Sequence, residues 1–286
     1  MGDFMSKFDK DEPEKVHVFA LKKYVEYAIT NVGPYRNKPC RFFRFIWGVI
    51  DTFSAIRKGS RISLPEYTKK QETILFECVV NLSLSDKLLV ISPPIRGNER
   101  SSNVKPLIMM ALSKGWNVAV HARDRTKLLD EQSLKNCIEN ARSMTGTDVS
   151  KTCVIGLSIG AFEACKAQLP YPLVSISNGY DIKSANKSWV NSIRCKFSKF
   201  ISTQSENLTC VEELLSRSLP TLLINSRNDP IIPHTCLIVG ENIANTNPNV
   251  ASVTTYRGGH LGFVDNNGKR WAYDIATEFL QSVIQV

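Results

Sequence analysis

Gly156-Leu157-Ser158-Ile159-Gly160 sets a serine between two glycines. The residues before it, Lys151 to Ile155, form a short β-branched run, and Ala161 to Ala167 after it favour a helix. Strand, G-x-S-x-G and helix together are the context of a nucleophile elbow. Such a turn holds the serine at strained backbone angles, and a Cβ two positions away on either side would strike the neighbouring strand and helix. The hydroxyl then stands at the end of a sheet, ahead of a helix N-terminus that favours negative charge. The chemistry expected of Ser158 is attack on a carbonyl carbon.

A serine needs a base, and the base needs an orienting carboxylate. The chain has four histidines, His17, His121, His234 and His260. His17 reads as a solvated residue of a charged N-terminal helix, His121 as a core or loop residue ending a strand, and His234 as the start of a helical run. His260 is different. It sits among Gly258, Gly259 and Gly262, directly after the strand expected over 250–256, where the backbone must bend and pack closely. The acid is expected after another strand. Pro220 to Asn225 is a buried-type strand, and Ser226-Arg227-Asn228-Asp229-Pro230 leaves it as a turn. That places Asp229 at the carboxyl end of a strand, where ligand sites gather in open α/β sheets.

The order Ser158, Asp229, His260 is that of the α/β-hydrolases rather than of chymotrypsin-like or subtilisin-like enzymes. Asn225 to Pro233 (NSRNDPIIP), the run Asn247-Pro248-Asn249-Val250, and Gly258 to Phe263 (GGHLGF) resemble one branch of that superfamily. This is the monoacylglycerol lipase/phospholipase branch, AB hydrolase family 4. The resemblance spans roughly residues 60–285 and is strongest after position 219. It implies Ser158 as nucleophile, Asp229 as triad acid, His260 as general base, and the backbone N–H groups of Ile159 and Ile95 as oxyanion donors. Two features depart from the family. Its third strand is usually followed by His-Gly, where this chain has Pro93-Pro94. Proline fixes φ and can re-aim the Ile95 N–H. The cap, about 178–218, is short and matches poorly, so the acyl group and headgroup stay open.

The elements that must position these residues alternate. Strands are expected at 72–80, 87–92, 116–121, 152–156, 172–177, 220–225 and 250–256. Helices are expected at 14–30, 41–56, 103–113, 132–144, 159–168, 187–201, 209–217, 235–245 and 268–284, with a connector over 59–70. The rhythm predicts an α/β protein, an α/β-hydrolase fold with a mostly parallel sheet covered on both faces and a short cap between strands 6 and 7. Residues 1–59 read as an N-terminal helical extension and 60–286 as the hydrolase domain.

Composition sets the partners. The chain has 286 residues, 43% hydrophobic, enough for one substantial core. Its eight cysteines form no C-x-x-C pair and no metal spacing, so no cofactor or metal is expected. With no signal peptide, the reading is an intracellular protein, cytoplasmic or peripheral on a membrane surface. The formal charge of +9 comes without a nucleic-acid motif. Arginines and lysines around the apolar run Phe42 to Ile50 instead suggest peripheral membrane contact through 36–61, or simply a helix packed on the core. Met1 to Ser6 fits the loose myristoylation pattern at Gly2, although Asp3 and Phe4 are atypical there. The function expected is a serine hydrolase of carboxylic esters, with lipid acyl esters as substrate. Competing readings are a hydrolase-fold module that binds lipid or protein without turnover, and an acyltransferase or thioesterase sharing the acyl-enzyme.

Overall fold

A computed structural model describes residues 15–17, 22–32, 44–80, 83–124, 126–127, 129–181, 208–232, 234–265 and 269–284. In chain order the elements are β1 (Lys15–His17), α1 (Lys22–Val32), α2 (Arg44–Ser60), β2 (Thr68–Lys70), β3 (Thr73–Phe76), β4 (Val79–Val80), β5 (Ser83–Leu84), β6 (Leu88–Ser92), α3 (Lys105–Ser113), β7 (Asn117–His121), α4 (Glu131–Thr145), β8 (Thr152–Leu157), α5 (Ile159–Lys166), β9 (Leu173–Ile176), α6 (Val211–Leu215), β10 (Thr221–Ser226), α7 (His234–Thr246), β11 (Val250–Thr255) and α8 (Trp271–Ile284). The helix expected at 187–201 and Gly2 lie outside the described residues.

Among the described residues the main sheet runs β1-β11-β10-β9-β8-β6-β7-β3-β2. The six strands from β11 to β7 pair in parallel. The remaining pairs are antiparallel and lie at the edges. From β6 the chain first adds β7 on one side and then β8 on the other. That reversal opens a crevice beyond the carboxyl ends of β6 and β8, where open α/β sheets place their ligands.

The parallel strands are buried on both faces, and their side chains divide by alternation. Leu89, Ile91, Cys153, Ile155, Ile224 and Val253 face a cluster built with α1, α3 and α8. Leu88, Val90, Val154 and Leu223 face the opposite cluster, with α4, α5 and α7. Cys153 and Cys165, on either side of the elbow, serve as buried apolar residues of these clusters.

Three expectations are corrected at the N-terminal side. The helix expected over 14–30 is a strand followed by a shorter helix: Lys15–His17 pairs antiparallel with β11, Val16 opposite Val253, and α1 starts at Lys22. His17 is therefore a strand residue. Three residues are too few for a two-residue alternation to be told from a helical period. The connector at 59–70 ends in β2, an exposed edge strand, and the strand expected over 72–80 breaks into β3 and β4. Val25 and Ala28 of α1 are fully buried in the same cluster as α8.

Helix α2 is turned inward by small residues. Gly48, Asp51, Thr52, Ala55 and Gly59 follow helical spacing on one face, and all but the half-buried Thr52 are buried. A Cβ on Gly48 would come 1.8 Å from the Asn228 carbonyl oxygen, and one on Gly59 would come 1.7 Å from that of Ser102. The helix backbone therefore lies directly on two loops of the hydrolase core. Ile50, Phe53 and Arg57 occupy the opposite, exposed face.

Candidate active site

Ser158 follows β8 and is the N-cap of α5, at φ 55° and ψ −118°. A non-glycine residue at positive φ is strained and persists only where its surroundings hold it. The hold is local. The Ser158 N–H donates to the Ile176 carbonyl at 2.9 Å, fixing the turn to β9. The flanking glycines leave no room for anything larger. A Cβ on Gly156 would lie 2.3 Å from Ala161 Cα, and one on Gly160 would lie 2.2 Å from the Ser92 carbonyl oxygen and 2.4 Å from that of Pro93. The elbow thus rests against the start of the Pro93-Pro94 loop. Gly160→Ala is expected to push these two backbones apart. Fluorophosphonate labelling of Ser158 should fall by roughly 10²-fold, the cost of displacing a reacting group by about 1 Å. A wild-type labelling rate would show that the loop position is immaterial.

The structure brings the three residues singled out by sequence together from the ends of β8, β10 and β11. Ser158 Oγ lies 2.8 Å from His260 Nε2, and His260 Nδ1 lies 2.9 Å from Asp229 Oδ2. An ionised carboxylate only accepts, so the His260 Nδ1 carries the proton and Nε2 is left to accept from the serine hydroxyl. The other oxygen of Asp229 accepts the N–H groups of Ile231 at 2.7 Å and Ile232 at 2.9 Å. The Asp229 side chain is 1% exposed and that of His260 9%. An aligned, largely dry relay of this kind holds a serine ready for deprotonation.

The loop that carries His260 is anchored through its backbone. The N–H groups of Gly259, His260 and Leu261 are accepted in turn by Asn228 Oδ1 at 2.9 Å, Thr52 Oγ1 at 2.8 Å and Ser177 Oγ at 3.2 Å. Arg270, buried, donates from Nη1 to the Leu261 carbonyl at 3.1 Å and from Nη2 to that of Ala55 at 2.5 Å. Burial lowers its guanidinium from the usual value. Sequence patterns gave no hint of Thr52, Asn228 or Ser177, because each acts across a long stretch of chain.

The two backbone groups expected as oxyanion donors lie at the start of α5 and in the loop after β6. Ile159 is the first residue of α5, so its N–H has no partner within the helix. Ile95 is the second residue of a turn closed by Gly97 N–H to Pro94 carbonyl at 2.8 Å, with Arg96 at φ 54°. That pattern matches a type II turn, which proline at its first position does not obstruct. The side chains of Ile95 and Ile159 belong to one apolar cluster.

Beneath the elbow lies a second polar group. Glu163, one turn into α5 and fully buried, accepts from Ser92 Oγ at 2.7 Å, Arg123 Nη2 at 2.6 Å and the Asp130 N–H at 2.8 Å. His121 ends β7 with Nδ1 3.5 Å from the Glu163 carboxylate and Nε2 2.9 Å from Ser133 Oγ. His121 is therefore a buried structural residue, and His234 is exposed at the start of α7. Among the described residues no group of three or more His, Cys, Asp or Glu could hold a metal ion, and no helix is long and apolar enough to cross a membrane.

Fold and strand-end site together define the chain as having the α/β-hydrolase fold. The esterase Pf2001 of Pyrococcus furiosus superposes over 77% of this chain and 91% of its own, with a TM-score of 0.59 at 18% identity. Est1E from Butyrivibrio proteoclasticus covers 78% and 100% with a TM-score of 0.57 at 11% identity. Acylaminoacyl peptidase of Pyrococcus horikoshii covers 76% of this chain and 41% of its own with a TM-score of 0.60 at 16% identity. At these identities the likeness is one of fold. In sequence, a monoacylglycerol lipase ABHD2 of Danio rerio is 37% identical over 60 residues, which span 21% of this chain and 14% of that protein. No family model matches the chain.

Proposed function

We propose that this chain is a serine hydrolase of carboxylic esters, with lipid acyl esters as its substrate class. The observation that carries the reading is the unbroken hydrogen-bonded series from Asp229 through His260 to Ser158, held at the carboxyl ends of three strands. Ser158 Oγ attacks the ester carbonyl carbon as His260 Nε2 takes its proton, and the carbonyl π electrons move onto oxygen. The N–H groups of Ile159 and Ile95 stabilise that oxyanion. Collapse breaks the bond to the alcohol oxygen, which leaves with the proton from His260, and the acyl group stays on Ser158. Water then attacks the acyl-enzyme, giving a proton to His260, and the second collapse releases the acid and returns the proton to Ser158. Asp229 holds the imidazole and stabilises its charged form throughout.

The lipid part of the proposal draws on two supports. The short match to the monoacylglycerol lipase ABHD2 is one. The other is the outward face of α2, where Ile50, Phe53 and Ile56 are exposed beside the exposed Arg57, Lys58 and Arg61. Apolar side chains flanked by cations suit the headgroup boundary of an anionic membrane, in keeping with peripheral contact through 36–61. Residues 182–207 of the proposed cap over 178–218 lie outside the described residues.

The test is fluorophosphonate labelling of the wild-type protein, with mapping of the adduct, followed by hydrolysis of a monoacylglycerol ester in anionic and in neutral vesicles. The expected result is an adduct on Ser158 and faster hydrolysis in anionic vesicles. No adduct would overturn the hydrolase reading in favour of a binding module. An adduct with turnover of water-soluble short-chain esters alone would overturn the lipid assignment. Acyl transfer to an added alcohol or thiol in preference to water would make the chain a transferase.

A further inference from the structure

Helix α2 reaches the candidate site from more than a hundred residues before Ser158, and its inward face touches both loops that complete the triad. Thr52 Oγ1 donates to the Gly48 carbonyl at 2.7 Å, one turn back along the helix. That bond is ordinary for a mid-helix threonine. It also fixes the hydroxyl so that its lone pairs face outward, and there the oxygen accepts the backbone N–H of His260 at 2.8 Å. The neighbouring Asp51 is buried. Its carboxylate accepts from Arg257 Nη2 at 2.5 Å and Nε at 3.2 Å, and from Asn228 Nδ2 at 3.0 Å. Asn228 in turn accepts the Gly259 N–H at 2.9 Å and directly precedes Asp229. Two adjacent side chains of one helix therefore hold the residue before the acid, the residue before the histidine, and the histidine itself.

We infer that Asp51 and Thr52 are positioning residues of the triad, so that α2 is a working part of the site. The inference rests on the serine-hydrolase reading. Neither side chain touches the relay atoms: Thr52 acts through the His260 backbone N–H, and Asp51 through the side chains of Arg257 and Asn228. The loop needs such a hold. Gly258 and Gly259 are both at positive φ, 151° and 59°, and glycine at two successive positions leaves the backbone conformationally permissive. A backbone that can relax by about 1 Å carries the imidazole with it, which is enough to cost on the order of 10²-fold in rate. A helix packed only for stability would need apolar contact with the loop. Here Thr52 accepts the His260 N–H directly, and Asp51 reaches the loop through the Arg257 side chain and, by way of Asn228, the Gly259 N–H.

Thr52→Val keeps the shape and removes the acceptor, and Thr52→Ser keeps the acceptor and removes a methyl group. For Thr52→Val the fluorophosphonate inactivation rate and kcat on a short-chain ester should fall by about 10- to 100-fold with KM changed less than about 2-fold, because a positioning loss appears in the transition state. The downfield proton resonance of His260 Nδ1 should shift or broaden. Thr52→Ser should restore both the rates, to within about 3-fold, and the resonance. Asp51→Asn, which keeps size and removes the charge that faces Arg257, should lower the rates by about 10-fold in the folded variant, and unchanged rates would remove Asp51 from the clamp. Wild-type rates and resonance in Thr52→Val would overturn the inference, as would a serine variant as slow as the valine one. If wild-type Ser158 forms no adduct, the hydrolase reading fails. The His260 resonance then still decides the clamp, which stands if valine shifts it and serine does not, and falls if valine leaves it unchanged.

Discussion

Ser158→Ala is expected to abolish covalent labelling by a fluorophosphonate and to lower ester turnover by roughly 10⁴- to 10⁶-fold, the range seen when a triad nucleophile is removed. The expectation follows from the geometry. With Oγ gone, His260 Nε2 has no serine proton to take at 2.8 Å, and the acyl-enzyme cannot form. His260→Ala should cost nearly as much, since the remaining hydroxyl then has no base. Asp229→Asn tests a different point. An amide at 229 could donate its N–H to His260 Nδ1, leaving the proton on Nε2, where it would face the serine hydroxyl as a donor. Turnover should drop by about 10⁴-fold with the backbone unchanged, because the tautomer is wrong rather than the position. The measurement is kcat on a soluble ester together with intact-protein mass after labelling. Turnover at the wild-type level in Ser158→Ala would sink the mechanism.

The residues of this relay were legible because each follows a strand closely. A buried strand leaves a run of β-branched and apolar residues, and Ser158, Asp229 and His260 come within a few positions of such runs. Loop residues that act at short range carry their own marks, glycines around His260 and an Asp-Pro turn at Asp229. The role of α2 was not legible, since Thr52 and His260 are 208 residues apart and no local pattern links them. The sequence left two readings, peripheral membrane contact through 36–61 or a helix packed on the core, and neither specified the inward face of Gly48, Asp51, Thr52, Ala55 and Gly59. The apolar residues Ile50 and Phe53 point outward instead. β1 escaped for another reason. Its three residues pair at the edge of the sheet through backbone hydrogen bonds, and side-chain pattern is a poor guide to so short a strand. Glu163 stood as a single charge in an otherwise small and apolar helix start. A lone charge in such a setting is almost never buried without partners, and in this fold the partners come from β6, β7 and the N-terminus of α4.

That buried carboxylate sets the second large effect, on acid stability. Burial by itself would push Glu163 up, but the nearby His121 ring and the hydrogen-bonded Arg123 guanidinium outweigh it and hold the carboxyl at about 2, against an ordinary 4.5. The folded group thus binds its proton less readily than the unfolded one. Its contribution is complete above pH 4.5 and is lost as pH falls from there through about 2. The size is about 3 kcal/mol, a large share of a typical domain's net stability. Glu163→Gln is expected to destabilise the protein at pH 7 by about 3 kcal/mol, because Arg123, with a side chain 5% exposed, loses its counter-charge. The variant should also lose less stability than the wild type between pH 5 and pH 3. Urea unfolding at both ends of that interval checks the claim, and parallel acid limbs for the two proteins would refute it. The consequence reaches the site through Ser92. Its hydroxyl donates to the Glu163 carboxylate, and its carbonyl oxygen packs against Gly160 at the start of the Pro93-Pro94 loop. One buried charge therefore ties the elbow helix to the strand that leads into the proposed oxyanion loop. Glu163→Gln should accordingly slow Ser158 labelling even where the variant is fully folded.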